Sequence, residues 1–496
     1  MIYEKIDKWA LTEPNRIVYR GERTFTYQEL KEQSDRLANY FSETLPNREP
    51  IVVYGGQEFE MLVAFVAAAK SGHAYIPIEA HTPNDRTALI LEVAQPTLVL
   101  AVAAWPDIET VCPIADMATI PATTTTVLNQ GLTPEETIYI IFTSGTTGVP
   151  KGVQISQANL WSFIEWELAD LGIKTGDRFL SQAPFSFDLS VMSVYPALIA
   201  GGSLVPMEKA VIDDFQTLFA RLPHLPIDVW VSTPSFMEIC LMEPTFSAEV
   251  LPALRVFLFC GEELTKQTAS KLLERFPEAQ IYNTYGPTEA TVAISQVLVT
   301  KELVERESRI PIGYIKEDTT VTIMEGETIL PAGEVGEIVI TGPSVSKGYL
   351  NNPEKTQAVF FELNGQPAYR TGDAGRLMPD GLLRYEGRID FQVKLHGYRI
   401  ELEDIDHHLT NVSYVKQATV VPKYKEHKVQ QLVAFVVAQP HTFAKQFELT
   451  KAIRQELAAS VMDYMIPQKY IYVEQLPRTA NGKIDRKQLI HEVNPT

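Results

Sequence analysis

Residues 143–152 read Thr-Ser-Gly-Thr-Thr-Gly-Val-Pro-Lys-Gly, which brings four hydroxyls, three glycines and an ammonium into one short segment. The apolar, β-branched run Ile138–Phe142 just before it has the composition of a buried strand. A strand running into such a loop leaves backbone N–H groups free to face outward. Gly145 and its small neighbours permit close approach of an anion, and Thr143, Ser144, Thr146 and Thr147 add hydroxyl donors. Lys151 adds a positive charge. This composition suits phosphate binding. It is not a Walker loop, because Val149-Pro150-Lys151-Gly152 stands where Gly-Lys-Ser/Thr would be, and Pro150 disfavours an immediate helix. A flexible Ser/Thr/Gly surface loop has a similar composition, but the ordered Pro-Lys-Gly tail argues against it.

The decapeptide resembles the phosphate loop of the adenylate-forming superfamily, which holds acyl-CoA synthetases, luciferases and the adenylation domains of peptide synthetases. Further segments match in the superfamily's order between Phe25 and Lys487. Phe25-Thr-Tyr-Gln-Glu-Leu30 and Gly72-His-Ala-Tyr-Ile-Pro77 are structural signatures. Asn283-Thr284-Tyr285-Gly286-Pro287-Thr288-Glu289 resembles the adenine loop. The resemblance implies that Tyr285 stacks on the purine, Asn283 meets its amino edge, Thr288 reaches the α-phosphate and Glu289 holds Mg²⁺, a hard cation suited to carboxylate oxygen. Tyr369-Arg-Thr-Gly-Asp373 implies that Asp373 holds both ribose hydroxyls, as an acceptor-only group can. Tyr385-Glu386-Gly387-Arg388-Ile389-Asp390 places Arg388 near ribose or phosphate and Asp390 at a hinge. Pro477-Arg-Thr-Ala-Asn-Gly-Lys483 resembles the C-terminal catalytic loop, with Lys483 reaching both the reacting carboxylate and the α-phosphate. The reaction needs such a cation, because a carboxylate must attack phosphorus and charge builds on the bridging oxygens as pyrophosphate leaves. An exposed tail lysine describes Lys487 better than Lys483.

Phe185-Ser-Phe-Asp-Leu-Ser190 narrows the substrate. In the amino-acid-activating branch an Asp in this motif pairs with the α-ammonium; Asp188 matches it, and a buried carboxylate needs a cationic partner. Leu258-Phe-Cys-Gly-Glu-Glu263 and Thr288-Glu-Ala-Thr-Val292 resemble the branch that activates D-alanine, which implies that Cys260 and Val292 face the substrate. Cys260 read alone is also compatible with a small buried strand residue. No carrier-like Leu-Gly-Gly-Asp-Ser segment follows, so the resemblance implies a stand-alone ligase. Its expected substrates are ATP with Mg²⁺, D-alanine, and the phosphopantetheine thiol of a separate carrier protein serving teichoic acid D-alanylation. An acyl- or aryl-CoA synthetase is the competing reading, and Asp188 speaks against it. Retention of Lys483, Glu289 and Asp373 speaks against a catalytically silent scaffold.

These stations need elements to hold them. Thr26 and Glu29 form a capping-box pattern ahead of Leu30, Leu37 and Phe41 at helical spacing. Strand-like runs at Ile51–Tyr54, Ile138–Phe142, Val229–Ser232 and Val256–Cys260 alternate with helical segments such as Phe59–Lys70. That order predicts an α/β body with largely parallel sheets. A β-rich stretch follows, with Val321–Met324, Gly336–Thr341 and Leu382–Tyr385. Beyond Asp390 the pattern reads helix (Glu401–Thr410), strand (Ala418–Pro422), strand (Leu432–Val437), helix (Thr450–Ser460) and a basic tail. The expected division is 1–389 for ATP and amino acid, and 390–496 for a small mobile α+β domain. At 496 residues the chain exceeds one typical core. Cys112, Cys240 and Cys260 form no CxxC pair, and no histidine spacing suggests a structural metal. A net charge of −19 disfavours nucleic acid. The N-terminus lacks a signal-like core, and the run Met61–Ala69 is too short to span a bilayer, so the expected location is the cytoplasm. From Phe391 onward 14 Lys/Arg face 11 Asp/Glu, whereas the remainder holds 29 against 51. That basic surplus suits an acidic partner or reflects chance.

Overall fold

The computed structural model describes residues 1–121, 131–145, 148–425, 427–478 and 484–495. The polar tract Thr123–Thr126, Thr146, Thr147 and Lys483 lie outside them. Among the described residues, two large sheets enclose a central helical layer. One has nine strands, in the spatial order Tyr314–Ile315, Ser295–Leu298, Gln280–Tyr285, Val256–Phe259, Val229–Ser232, Arg178–Ser181, Ser203–Pro206, Ile17–Arg20, Thr24–Thr26. The pairs from Gln280–Tyr285 through Ile17–Arg20 are parallel. The second has six strands and contains Ile51–Gly55, Tyr75–Glu79 and Thr137–Thr143 in parallel. Lys151–Ser156 closes it antiparallel to Thr137–Thr143, so the phosphate-loop segment joins two antiparallel strands and no helix follows it.

Helix Phe59–Ser71 lies between these sheets and is buried along nearly its whole circumference, as its run of Ala, Val, Leu and Phe requires. It ends at Gly72, whose φ of 81° is the left-handed cap that glycine adopts without strain. Helix Tyr27–Thr44 starts as expected. The Thr26 hydroxyl accepts from the Glu29 N–H, the Glu29 carboxylate accepts from the Thr26 N–H at 2.8 Å, and Leu30, Leu37 and Phe41 are buried.

A third, antiparallel sheet runs over 320–388 and holds the long strand Gln366–Leu377 beside Leu383–Arg388. Its register sets Asp373 opposite Arg388. After Asp390 the chain builds a separate core of Val393, Ile400, Ile405, Val420, Leu432, Ile453 and Met465, among others. A three-stranded sheet backs this core, with Val415–Lys425 and Lys428–Ala438 longer than their sequence runs suggested.

Other elements of this C-terminal part also differ from the sequence reading. The helix expected over Thr450–Ser460 covers Gln446–Leu457. The basic tail contains a strand, Lys469–Tyr472, and a helix, Arg486–Val493, capped by Asp485. Gln392–Leu395 and Tyr398–Glu401 form a hairpin, and its connecting residues His396 and Gly397 both have positive φ (52° and 84°). A two-residue turn with both φ positive matches the right-handed twist of the flanking strands.

Candidate active site

The carboxyl ends of parallel strands open onto a common crevice, the usual place for ligands in α/β sheets. Here Thr137–Thr143 delivers the phosphate-loop segment, Val256–Phe259 delivers Cys260, and Gln280–Tyr285 delivers the adenine-loop segment. Pairing of Phe259 with Asn283 fixes the last two at one height. The crevice continues into two cavities of about 1080 Å³ and 640 Å³.

Gly145 must be glycine, since a Cβ there would lie 2.1 Å from the Val149 carbonyl oxygen. The Gly145 carbonyl accepts from the Gly148 N–H at 3.1 Å. The Thr143 hydroxyl is buried with no hydrogen-bond partner among the described residues, an unmet need that a phosphate oxygen could fill. Lys151 is buried with its ammonium 5.3 Å from the centre of the Tyr349 ring. Burial, then the neighbouring Arg399, pulls its pKa below the ordinary lysine value.

The smaller cavity is lined by Asn283, Thr284, Tyr285, Tyr385, Glu386, Gly387, Arg388 and Lys394 among others. Asn283 donates its amide N–H to the Pro311 carbonyl at 2.9 Å, and Thr284 donates to Phe259 O at 2.9 Å. Gly286 admits no side chain, because its Cβ would sit 2.5 Å from Ala293 Cα. The Tyr285 hydroxyl donates to Asp373 at 2.5 Å, and the Arg388 guanidinium reaches the same carboxylate at 2.9 Å and Asp390 at 2.5 Å. Arg388 thereby ties the expected ribose acceptor to the expected hinge residue. Glu386 points away from this network and pairs with Arg376 at 2.6 Å.

Asp188 is buried and accepts from the Thr288 hydroxyl at 2.7 Å. Thr288, expected on an α-phosphate, here contacts the expected amino-acid carboxylate. Burial raises the Asp188 pKa, while the Thr288 bond and nearby Lys394 oppose the rise. The Cys260 thiol, also raised by burial, donates to Val292 O at 3.7 Å, which brings Cys260 and Val292 together at the strand end. Val292 and its predecessor Thr291 both sit at positive φ (68° and 58°). Consecutive β-branched residues in that region carry strain of a kind that collects at ligand sites.

Glu289 is fully buried, and its carboxylate accepts from Tyr349 Oη at 2.7 Å and from Arg399 Nη1 at 2.6 Å. Burial alone would raise its pKa; Arg399, then Lys151 and the Tyr349 hydroxyl, reverse this and hold it at about 2. A charged, enclosed carboxylate of this kind fits a hard cation such as Mg²⁺.

Arg399 belongs to the hairpin that the sequence reading missed, and so does Glu401, whose carboxylate lies 3.5 Å from the Lys151 ammonium. The hairpin is bonded directly to the phosphate-loop segment. The Ser144 hydroxyl donates to Arg399 O at 2.9 Å and accepts from the Glu401 N–H at 3.3 Å. Lys394 stands 5.8 Å over the Tyr285 ring. At the hairpin tip a Cβ on Gly397 would lie 2.2 Å from Thr233 Cγ2, so only glycine permits this approach. The signal was present in the sequence. Val393-Lys-Leu-His-Gly-Tyr-Arg-Ile-Glu401 alternates apolar with polar residues around a His-Gly turn.

Models of two families match the chain in order: AMP-binding enzyme over residues 6–350, and AMP-binding enzyme C-terminal domain over 404–483. D-alanine–D-alanyl carrier protein ligase of Lactiplantibacillus plantarum is 53% identical, with 100% of this chain and 99% of the relative covered. The enzyme of the same name from Listeria monocytogenes serotype 4b is 48% identical, with 99% of both covered. Among solved structures, holo-PA1221, described as a peptide synthetase protein containing adenylation and carrier domains, superposes with a TM-score of 0.84 at 27% identity, covering 99% of this chain and 84% of that one. The o-succinylbenzoate CoA synthetase of Bacillus subtilis shares the fold at a TM-score of 0.85, 21% identity and 98% coverage of both chains. Matched from end to end and nearly half identical to full-length relatives, the chain belongs to the AMP-binding, adenylate-forming enzyme family.

Proposed function

We propose that this enzyme acts in the cytoplasm, activating D-alanine with ATP to D-alanyl-AMP and transferring the alanyl group to the phosphopantetheine thiol of a separate carrier protein, for D-alanylation of teichoic acids. The observation that carries the reading is Asp188, a buried carboxylate beside Thr288 and close to Cys260 and Lys394. A fatty-acyl pocket has no use for an anion there. The α-ammonium of an amino acid supplies the cation that a buried carboxylate needs.

In the first step Asn283 and Tyr285 hold the adenine, Asp373 and Arg388 the ribose, and Thr143 to Thr147 with Lys151 the phosphates. Thr284, Gly286, Pro287, Tyr385, Glu386 and Gly387 complete the walls. Asp188 anchors the ammonium, while Cys260 and Val292 shape the space around the methyl group. Mg²⁺, when bound at Glu289, neutralises phosphate charge. Lys483 brings a cation to the carboxylate oxygen and the α-phosphate as the C–O–P bond forms and pyrophosphate departs. In the second step residues 390–496 turn about Asp390 and the thiol attacks the anhydride carbonyl. The C–S bond forms, the thiol proton leaves to solvent, and AMP departs. The anhydride is needed because a free carboxylate is a poor electrophile.

An ATP–pyrophosphate exchange assay across D-alanine, L-alanine, glycine and short fatty acids tests the reading. Exchange should be largest with D-alanine and absent with fatty acids. Exchange with a fatty or aryl acid and none with D-alanine would restore the CoA synthetase reading.

A further inference from the structure

We infer that the hairpin spanning Gln392–Glu401 is an ion-for-ion substitute for metal–triphosphate: Arg399 occupies the place of a divalent cation on Glu289, and Glu401 occupies the place of a phosphate on Lys151, so that seating of the hairpin and binding of metal–triphosphate exclude each other. The inference rests on the reading of Lys151 as a phosphate residue and Glu289 as a metal residue.

Four alternating charges form one chain of contacts. Lys151 and Glu289 come from the N-terminal body, and Arg399 and Glu401 from the hairpin, with contacts of 2.6 Å for Arg399–Glu289, 3.5 Å for Lys151–Glu401 and 4.0 Å for Arg399–Glu401. Arg399 and Glu401 are two apart on one strand, so both side chains leave the same face. Their order matches the order of the partners across the cleft. Arg399 is braced from behind, its Nε donating to Gln392 Oε1 at 2.8 Å on the paired strand. Ser144, a candidate phosphate donor, is bonded twice to the hairpin backbone.

Buried charges left without partners are costly, so Glu289 and Lys151 require counter-charges in every state the enzyme visits. Metal and phosphate oxygens supply them in one state and the guanidinium and carboxylate of the hairpin in the other. Once pyrophosphate and its metal leave, the vacated charges attract the hairpin. The seated hairpin then opposes return of pyrophosphate, because Glu401 repels it and Lys151 is engaged. Thioester formation in this orientation requires no divalent metal. Because the two occupants compete, weakening the seated hairpin tightens apparent binding of metal–triphosphate, by up to the same factor when the seated state dominates.

Calorimetric binding of a non-hydrolysable ATP analogue with Mg²⁺ tests this on the full-length enzyme. Arg399→Gln and Glu401→Gln should each tighten binding by about fivefold or more. Unchanged or weaker binding in both variants overturns the inference, as does failure of wild type and both variants alike to bind the Mg²⁺ analogue. A second measurement needs no variant. In wild-type enzyme, hydrogen exchange of the 398–401 amides should accelerate with the Mg²⁺ analogue and slow with AMP alone; equal protection in both overturns it. Neither readout involves the amino acid, so a failed D-alanine assay and a failed charge exchange remain distinguishable.

Discussion

Asp188 bears a charge that its surroundings disfavour, and among the described residues its side-chain bond comes from the neutral Thr288 hydroxyl. On the proposed reading an α-ammonium completes the site as well as being recognised by it. Asp188→Asn should lower kcat/KM for D-alanine by about 100-fold or more, since breaking a buried ionic contact costs ~3–5 kcal/mol. Pyrophosphate exchange kinetics at varied ATP should show a much smaller change in the ATP KM, and equal losses for both substrates would make Asp188 structural. Cys260 is proposed to govern a different property. D- and L-alanine differ in where the methyl points once the ammonium is fixed, and the Cys260 thiol lies against the left-handed Val292 backbone. Backbone strain there leaves little room for the wall to yield. Cys260→Ala should raise L-alanine activity relative to D-alanine by about tenfold, the scale of one methyl-sized clash. An unchanged ratio in adenylation assays with both enantiomers would return Cys260 to the ordinary core.

At the scale of elements, the strands that deliver the site were legible because each is a continuous apolar run ending in small or polar residues. Val229–Ser232 and Gly336–Thr341 have the bounds their sequences imply. The hairpin at Gln392–Leu395 and Tyr398–Glu401 was not. Its charges face a cleft formed by distant segments, and alternation alone reads as one more solvent-facing strand. Glu79, the last residue of strand Tyr75–Glu79, was missed for a related reason. It looks like a surface carboxylate, yet it accepts from the Phe185 N–H at 2.8 Å and pins the loop that carries Asp188. Burial pushes its carboxyl up to about 7 from 4.5, against the pull of the Phe185 N–H. Between those values the folded enzyme keeps a proton that the unfolded chain has released. Stability from this group is therefore complete below the lower value and is lost as pH rises through the upper one. Thermal melts of wild type and Glu79→Gln across that window should show the variant gaining on the wild type as pH rises; parallel curves would place Glu79 in solvent.

For the whole molecule, the orientation of the C-terminal part is fixed by contacts that no local pattern announces. Lys428, on the C-terminal sheet, lies 3.0 Å from both carboxylate oxygens of Glu238 and 3.8 Å from Glu262. The partners are far apart in sequence and meet only across the cleft. Lys428→Met should slow thioester formation by about tenfold or more, because one broken cross-cleft pair of this partly buried kind is worth a few kcal/mol. Pyrophosphate exchange should not fall, since this contact belongs to the orientation seen here; a fall in both would make Lys428 a folding residue. Lys483→Ala should show the converse in the same pair of assays. Adenylation should nearly vanish while transfer from supplied D-alanyl-AMP persists, and parallel loss of both would refute a division of labour between two orientations.

Aromatic rings also cross the cleft. Phe187 stacks on Tyr398 with centroids 5.5 Å apart, and Tyr398 lies flat on Tyr464 at 3.7 Å. Turning the C-terminal part about Asp390 would part Phe187 from Tyr398 and wet both faces. Exposure of apolar surface carries a positive heat capacity, so the balance between orientations must curve with temperature. Cooling weakens the stacked arrangement and favours the parted one. A fluorophore pair placed across the cleft would read this curvature as a growing mean separation in the cold, making the enzyme's resting posture a function of the season as well as of its substrates.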